Sequence, residues 1–375
     1  MRRESILGLL VTAATVMLLA TAGTASVTLA PTIVVVSPVN MDGWAFQVTS
    51  ADGKGELVAG PATPPLGVGS AHLFTGTNGS ESAQVRNTEF DGTPLGYLTI
   101  LNYSTYAESW NGQQLPYIIL NIDNDTDSEI EDLLFFEPAY QTHISGNPSL
   151  PDQGAAVLNT WQEWDALHGG WWSLNGIAGA TPGTGVKSLV DYLAVQPDAR
   201  IVNSDGLGGV RLVVGFADEA DIFNGYVDKF RIGLLQDYRN EETIYDFEPI
   251  VSLKIDIKPG SYPNSINLKS KGVLPIAILG SGSFDVKTIN ASTININGVG
   301  LATRGSKKAP KLAYSYEDVN GDGVLDMVVF FRVQALRTGG ALGPSTTKLT
   351  LTGALYGGTP ISGTDSVRIV PPLKT

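Results

Sequence analysis

The sequence of 375 residues contains no cysteine, so no disulfide can stabilise the fold. Such a chain depends on burial of an apolar core, or on a metal ion that binds the folded state and stabilises it by mass action. Its three histidines are scattered and show neither metal-ligand nor catalytic-triad spacing. Because a Gly-x-Ser-x-Gly elbow is absent as well, the sequence gives little support to nucleophilic hydrolysis.

Positive charge is scarce. Lysine and arginine number 24 against 37 aspartates and glutamates, which gives a formal net charge of -13. This balance argues against nucleic acid and anionic membrane surfaces as partners. Charged residues of both signs make up only 16% of the chain, while glycine contributes 43 residues and proline 21. That composition favours many short strands joined by turns over helical bundles.

Long apolar runs are missing after the first 25 residues. At the start of the chain, Arg2 and Arg3 precede the apolar residues 6–20, and small residues follow. This order is typical of a secretory signal peptide, which we expect over residues 1–25. It predicts a protein that is secreted to the extracellular space or held at the cell surface. The alternative is an uncleaved membrane anchor over the same segment.

Alternating apolar residues bounded by turn residues predict an all-β fold with two β-sandwich domains in tandem. The first domain is expected over residues 32–235, with one short helix that Ser188 caps and Pro197 limits. Residues 236–250 break the strand pattern with charge and predict a linker. Residues 251–371 carry strand patterns at the density of a small sandwich.

Two features inside the first domain bear on its packing. Residues 51–70 are rich in glycine and proline and predict a loop. Asp228 falls on the inward-facing row of an alternating strand at residues 226–232. A buried carboxylate needs hydrogen bonds or a metal ion, and we expect a hydrogen bond to a neighbouring turn.

Residues 318–326 read Asp-Val-Asn-Gly-Asp-Gly-Val-Leu-Asp and place oxygen-bearing side chains at positions 1, 3, 5 and 9. Ca²⁺ accepts about six to eight oxygen ligands in irregular geometry, and the glycine at position 6 permits a sharp turn. This spacing predicts a calcium-binding hairpin loop. Its predicted ligands are Asp318, Asn320, Asp322, the backbone carbonyl of Val324, and Asp326. The alternative is an acidic hairpin turn without a metal.

Residues 123–131 carry carboxylates at the same four positions of a second segment. Ser128 stands where the 318–326 segment has its turn glycine, so we expect the backbone to turn differently there. The segment predicts either a second calcium site or a solvated acidic hairpin tip. The predicted ligands are Asp123, Asp125, Asp127 and Glu131.

Four of the six tryptophans fall within residues 161–172. Indole faces stack on sugar rings and bury a large area at small entropic cost, so the cluster predicts a glycan-binding platform. The alternative is that the rings fill the core of the sandwich. The platform would be made by Trp161, Trp164, Trp171 and Trp172.

Three segments of the second half resemble a C-terminal module that recurs in secreted bacterial and archaeal proteins. They are residues 255–267, 272–279 and 317–326, and the module would cover residues 251–371. The resemblance implies export, an all-β fold and a calcium loop at residues 318–326. It implies no catalytic role.

The first domain resembles another β-sandwich module of secreted bacterial proteins. The resemblance rests on residues 134–140, 161–172, 203–211 and 225–233. The last of these segments is similar to the closing strands of concanavalin-A-like and laminin-G-like domains. Such domains often bind glycans or other extracellular ligands and hold calcium near the binding rim.

The sequence therefore predicts an exported, non-catalytic, calcium-binding protein that binds an extracellular glycan or another cell-surface component. A purely structural module of a surface or matrix is one alternative. A carbohydrate-active hydrolase is another, because Glu163 and Asp165, or Glu137, could supply the carboxylate pair that a glycosidase needs.

Overall fold

A computed structural model describes residues 27–370, apart from residues 113, 205, 238, 283 and 307–308. The predicted signal peptide, residues 1–25, lies outside the described residues. The described chain is built from β strands in several sheets with two short α helices, which confirms the predicted all-β fold.

The first half of the described chain contains fifteen strands and one α helix. The strands are β1 (Val27–Thr28), β2 (Thr32–Val36), β3 (Trp44–Val48), β4 (Lys54–Ala59), β5 (Gly69–Phe74), β6 (Ser82–Asn87), β7 (Leu98–Ser109), β8 (Tyr117–Asp123), β9 (Asp132–Phe136), β10 (Gln162–Asp165), β11 (Trp172–Ser173), β12 (Arg200–Ile201), β13 (Val210–Gly215), β14 (Asn224–Gln236) and β15 (Arg239–Phe247). The helix, α1, spans Leu189–Leu193, and Ser188 caps it by accepting a hydrogen bond from the Asp191 N–H. The predicted helix cap is therefore confirmed.

These strands form two sheets. The first sheet has the order β1-β15-β14-β5-β4, with β2 also paired to β15 and with β7 joining β14 to β10. The second sheet has the order β11-β9-β8-β13-β6-β3, with β12 paired to β8. A shared cluster of buried apolar side chains from both sheets gives the sandwich its core. Alternation along each strand, with a period of two residues, puts one face of each sheet into that core.

Two segments that were predicted to lie outside strands contain strands of the first sheet. The predicted loop at residues 51–70 contains β4, which pairs with β5. The predicted linker at residues 236–250 contains β15, which pairs with β14, β1 and β2. The charged residues of β15 obscured its pattern, yet Tyr245 and Phe247 alternate into the core. The linker prediction is therefore wrong for the residues of β15.

The second half contains thirteen strands and one α helix among its described residues. The strands are β16 (Val251–Ser252), β17 (Ile255–Ile257), β18 (Ser265–Asn267), β19 (Val273–Ile278), β20 (Asn295–Ile296), β21 (Val299–Gly300), β22 (Thr303–Ser306), β23 (Ala309–Leu312), β24 (Tyr314–Glu317), β25 (Asp326–Arg332), β26 (Lys348–Ala354), β27 (Pro360–Ser366) and β28 (Arg368–Val370). The helix α2 spans Val333–Thr338 directly after β25 and was not predicted from the sequence.

These strands surround a core of their own. One sheet has the order β16-β27-β26-β20-β21, another has the order β17-β19-β25-β24, and β18-β28 and β22-β23 form two small ribbons. The buried apolar cluster of this half draws its residues from both larger sheets and from α2. Among the residues that the structure describes, no helix has the length and apolarity needed to span a membrane.

Candidate functional site

The Asp123 loop, residues 123–131, joins β8 to β9 as a hairpin of the second sheet. Its four acidic side chains each place a carboxylate oxygen within 4.8 Å of the corresponding oxygens of the others. Within the described part of the chain, no other group of three or more acidic, histidine or cysteine side chains comes this close. The group consists of Asp123, Asp125, Asp127 and Glu131, the ligands predicted from the sequence, and it could hold a metal ion.

The Asp318 loop, residues 318–326, joins β24 to β25 and repeats the hydrogen bonds of the Asp123 loop. In both loops the carboxylate at position 1 accepts from the N–H groups at positions 4 and 6. In both loops the carboxylate at position 9 accepts from the N–H at position 2, at 2.8 Å and 2.9 Å. The two segments therefore share one loop structure, although one lies in each half of the chain.

The left-handed backbone positions of the two loops also coincide. Thr126 and Ser128 have φ angles of 75° and 71°, and Gly321 and Gly323, at the same loop positions, have 77° and 83°. The expectation that Ser128 makes the backbone turn differently is wrong. Ser128 adopts the conformation that glycine adopts more easily, because hydrogen bonds to the Asp123 carboxylate hold the turn.

The side chains of the Asp318 loop are engaged mainly with the loop itself. The Asn320 amide donates to Asp322 Oδ2 at 2.9 Å, and the Val324 N–H donates to Asp322 Oδ1 at 2.8 Å. Asp326 is fully buried and accepts from the N–H groups of Gly280 and Val319, both at 2.9 Å. Asp326 thereby ties the loop to the end of β19. Calcium ligation by this loop stays a prediction.

The pKa shifts of Asp123 and Glu131, two acids of the Asp123 loop, have opposite directions. Burial raises the pKa of Asp123, but the N–H groups of Thr126, Ser128 and Asp125 outweigh burial and bring that pKa below its usual value. The pKa of Glu131 is raised, by burial first and then by the negative charges of Asp127, Asp125 and Asp123. A divalent cation among these carboxylates would remove that repulsion.

Two of the four predicted platform tryptophans lie in the core. Trp164 is 0% exposed and donates from Nε1 to the Thr105 hydroxyl at 2.8 Å. Trp171 is 1% exposed and donates from Nε1 to the Ala166 carbonyl at 2.7 Å. Neither ring can contact a ligand, so their prediction as binding residues is wrong. Their NH groups are satisfied inside the protein, as buried indoles require.

The other two tryptophans are half-buried and belong to different sheets. Trp161 precedes β10 of the first sheet, packs against Tyr106 with ring centroids 5.6 Å apart, and donates from Nε1 to the Pro61 carbonyl at 3.0 Å. Trp172 begins β11 of the second sheet and stacks on Phe135 with centroids 3.8 Å apart and planes 4° apart. The predicted four-ring platform is therefore wrong, because the chain carries these rings to separate places.

Trp172 lines a cavity of about 310 Å³ on the face of the second sheet that points away from the core, here named the Trp172 cavity. Register across β11, β9, β8 and β13 puts Trp172, Phe135, Ile119 and Arg211 in one row. Phe216, which follows β13, is 51% exposed and has a φ angle of 57°. The full lining is Gln114, Tyr117, Ile119, Leu133, Phe135, Glu137, Trp172, Arg211 and Phe216.

Polar groups in the Trp172 cavity are fixed by hydrogen bonds. Glu137 is largely buried and accepts from Trp172 Nε1 at 2.9 Å. Burial raises the pKa of Glu137, although this hydrogen bond acts in the opposite direction. The Arg211 Nε donates to Gln84 Oε1 at 2.9 Å, which orients the guanidinium along the sheet. A volume near 300 Å³ with aromatic walls and few polar groups is typical of a small-molecule site, at about 300–1,000 Å³.

Most of the Trp172 cavity was not predicted, although the sequence of two of its strands contains a signal for it. β8 and β9 are apolar on both faces: Ile118 and Phe136 point to the core, while Ile119 and Phe135 point outward. A strand of an antiparallel sheet with one solvated face alternates apolar and polar residues. Continuous apolar runs in both strands therefore indicated that the second face is covered or binds something.

Glu163 and Asp165, two of the carboxylates considered for a hydrolase, form ion pairs with different residues. Glu163 pairs with Lys229 at 2.9 Å and with Arg231 at 3.2 Å. Burial raises the pKa of Glu163, but these two cations lower it overall, so Glu163 is held ionised. Asp165 pairs with His168 at 2.7 Å. Neither lines the Trp172 cavity, whereas Glu137 does.

Comparisons with known proteins give distant similarities. No protein-family model and no curated protein match the chain. Among solved structures, the chain is similar to a β-1,2-glucanase from Parabacteroides distasonis at 11% identity and a TM-score of 0.28, over 88% of this chain and 37% of the glucanase chain. It is also similar to a 1.5-MDa bacterial ice-binding adhesin at 10% identity and a TM-score of 0.19, over 87% of this chain and 66% of the adhesin chain. At these TM-scores the similarities carry no inference about fold or function.

Proposed function

We propose that the protein is exported and binds an extracellular glycan in the Trp172 cavity, without catalysis and with Ca²⁺ bound in its acidic loops. The observation that carries the proposal is the combination of aromatic rings with oriented polar groups in one cavity of about 310 Å³. A sugar ring has apolar C–H faces that stack on aromatic rings and hydroxyl groups that bond to carboxyl, amide and guanidinium groups. Trp172, Phe135 and Phe216 would supply the first kind of contact, and Glu137, Gln114 and Arg211 the second.

The conformation of Phe216 supports a binding role. A bulky residue with a positive φ is strained, and about half of the Phe216 residue is exposed to solvent. Strained residues are concentrated at sites of function, where the surrounding structure holds them in place. Phe216 stands at the mouth of the Trp172 cavity and would close over a bound ring.

Calcium would support the same site through the hairpin of β8 and β9. The Asp123 loop connects these two strands, and their outward side chains Tyr117, Ile119, Leu133 and Phe135 form a wall of the cavity. The four carboxylates of the loop offer only oxygen ligands, which suit Ca²⁺. A bound ion would fix the end of the hairpin and reduce the loss of conformational freedom when a glycan binds.

The single carboxyl group in the described lining of the cavity favours binding over hydrolysis. Glu137 is the one acidic side chain among the described residues that line the cavity. A glycosidase uses two carboxyl groups, at about 5–10 Å from each other. Glu137 alone would act as a hydrogen-bonding group for a sugar hydroxyl.

The test is a glycan-array screen of the full chain in Ca²⁺, repeated with Trp172→Ala. We expect the wild type to bind a defined set of glycans and Trp172→Ala to lose affinity by about fivefold or more, since stacking contributes about 1 kcal/mol or more. Trp161→Ala is the matched control, because Trp161 is equally half-buried but lies on the other sheet. Each variant is checked for folding by circular dichroism.

Three results would contradict the proposal. Absence of binding to any glycan by the folded wild type would favour a purely structural module. Equal losses from Trp172→Ala and Trp161→Ala would place the binding surface elsewhere. Release of reducing ends from a bound glycan, abolished by Glu137→Gln, would make the protein a hydrolase.

A further inference from the structure

Three carboxyl groups are buried together on the outer side of the first sheet. Asp228 belongs to β14, Asp246 belongs to β15, and Glu248 follows β15 directly. The side chains are 0%, 2% and 0% exposed. The connection between β4 and β5, residues 60–68, covers them. This group is named the Asp246 cluster, and it shares no residue with the acidic loops or with the Trp172 cavity.

The covering loop donates backbone hydrogen bonds to two of the three carboxylates. Asp228 Oδ2 accepts from the Leu66 N–H at 3.0 Å, and Glu248 Oε1 accepts from the N–H groups of Val68 at 2.6 Å and Gly69 at 3.2 Å. The Phe247 N–H donates to Asp228 Oδ1 at 3.2 Å. The hydrogen bond to a turn that was expected for Asp228 is therefore present, and it holds the covering loop against the cluster.

Two carboxylate oxygens of the cluster remain without a hydrogen-bond partner among the described residues. They are Asp246 Oδ1 and Glu248 Oε2, and both are inaccessible to solvent. A buried carboxylate oxygen without a partner costs folding free energy unless something compensates its desolvation. Native proteins satisfy nearly all such atoms, and the Asp246 and Glu248 side chains lie within hydrogen-bonding distance of each other, so the pair holds either a shared proton or a ligand.

Gly67 lies directly against two carboxylates of the cluster. A Cβ atom on Gly67 would overlap Glu248 Oε1 and would lie 2.9 Å from Asp246 Oδ1. The two carboxylates therefore approach the Gly67 backbone so closely that any side chain at this position would collide with them. The position also has a φ of 57°, which suits glycine. Glycine at residue 67 thus lets the covering loop approach the two carboxylates closely.

Among the residues that the structure describes, no basic side chain forms an ion pair with the cluster. The nearest cations along the strand, Lys229 and Arg231, form their ion pairs with Glu163 and Glu242. Burial raises the pKa of Asp228 to about 7 despite its backbone hydrogen bonds. Burial and the charges of Glu248 and Asp228 also raise the pKa of Asp246 well above its usual value. Ionised carboxylates buried without a basic partner carry a large desolvation cost, which a bound cation would offset.

We propose that the Asp246 cluster binds a divalent cation, Ca²⁺, through Asp246 and Glu248, with Asp228 balancing its charge. Only oxygen atoms converge there, and neither histidine nor cysteine is present among them, so a hard cation fits better than zinc. The ion would fasten residues 60–68 onto the outer face of the first sheet. This site goes beyond the proposed function, because it requires neither the acidic loops nor the glycan.

The test counts calcium in the full chain after the metal has been stripped by unfolding with a chelator and refolding in Ca²⁺. Asp246→Asn keeps the shape of the side chain and removes its charge. We expect Asp246→Asn to bind about one Ca²⁺ per chain fewer than the wild type. We also expect its calcium-dependent rise in Tm to be smaller by about 5 °C or more, with Glu248→Gln behaving alike. Asp198→Asn, an exposed acid with the same change of charge, is the control and should bind as the wild type does.

A background variant distinguishes calcium bound at the Asp246 cluster from calcium bound in the two acidic loops. In a chain that carries Asp127→Asn and Asp322→Asn, the loss caused by Asp246→Asn should persist undiminished. If neither loop binds Ca²⁺, the wild type should still bind about one ion and Asp246→Asn none. Equal calcium content in the wild type, Asp246→Asn and Glu248→Gln, all folded by circular dichroism, would overturn the proposal. The carboxyl groups would then share protons instead of a cation.

Discussion

Thr126 and Gly321 occupy the same position of two loops that share one backbone structure, with φ angles of 75° and 77°. Each donates its N–H to the first aspartate of its loop, at 2.5 Å and 2.7 Å. Glycine adopts this conformation without steric cost, whereas a β-branched residue does so only under constraint. One loop therefore carries backbone strain that the other avoids.

We expect Thr126→Gly to stabilise the protein by about 0.5–1 kcal/mol in excess chelator. Relief of left-handed strain at a β-branched residue is worth about 1–2 kcal/mol, and the greater freedom of glycine in the unfolded chain offsets part of it. Urea unfolding measures the difference. Gly321→Thr is the reciprocal variant and should destabilise by more than this. A destabilising Thr126→Gly would mean that the Thr126 side chain makes a contribution that outweighs its strain.

Asp127→Asn should weaken calcium binding by the Asp123 loop about tenfold or more, because it removes one of four converging carboxylates. Calorimetric titration of the stripped full chain with Ca²⁺ measures the affinity. Glu129→Gln is the matched control, since Glu129 lies in the same loop but outside the group of converging oxygens. Equal effects of the two variants would show that only the net charge of the loop matters.

Asp322→Ala should lower Tm in Ca²⁺ and change it little in excess chelator. Its carboxylate is exposed, so the hydrogen bonds that it accepts from Asn320 and Val324 contribute about 1 kcal/mol or less without a metal. Differential scanning calorimetry in both buffers measures the difference. Glu317→Ala, just outside the Asp318 loop, is the control. The same Tm for Asp322→Ala and the wild type in Ca²⁺ would count against a metal in this loop.

The stability of the wild type should fall with rising pH relative to Glu137→Gln. Burial raises the pKa of Glu137 above its usual value of 4.5, so the folded chain holds this proton more tightly than the unfolded chain. Between the usual and the raised pKa the folded state binds more protons, and the free energy of unfolding decreases as pH increases. Glutamine is neutral and can still accept from Trp172 Nε1. Urea unfolding of both proteins from pH 4 to pH 7 measures the difference, and parallel pH profiles would contradict it.

The local sequence pattern was sufficient for many of the strands and for the spacing of the two acidic loops. β14 contains the alternating strand expected at residues 226–232, and Ser188 caps α1 as its position before an amphipathic stretch predicted. The acidic spacing of residues 123–131 identified four carboxylates that converge in space. These features depend on residues close together in sequence, so the chain can be read for them directly.

The positions of the tryptophans and the lining of the Trp172 cavity depend on strand pairings that the local sequence pattern does not reveal. Trp164 and Trp171 fill the core because β10 joins the first sheet and the chain then crosses to β11 in the second. The row of Trp172, Ile119 and Arg211 exists only through the register of four strands that are far apart in sequence. For the same reason Asp246 and Glu248 looked like part of a charged linker, although the sheet buries them beside Asp228.

The parallel pairing of β2 with β15 sets a minimum length for a fragment of the first sheet. Thr32 lies beside Thr243, and Val36 lies beside Phe247, about 210 residues later in the chain. During synthesis β2 leaves the ribosome long before its partner exists, so the sheet cannot close until residue 247 has emerged. An expression fragment that stops at residue 235 would leave β2 and the end of β14 with open edges, which promote association between chains. A fragment that extends past Glu248 would contain every strand of both sheets.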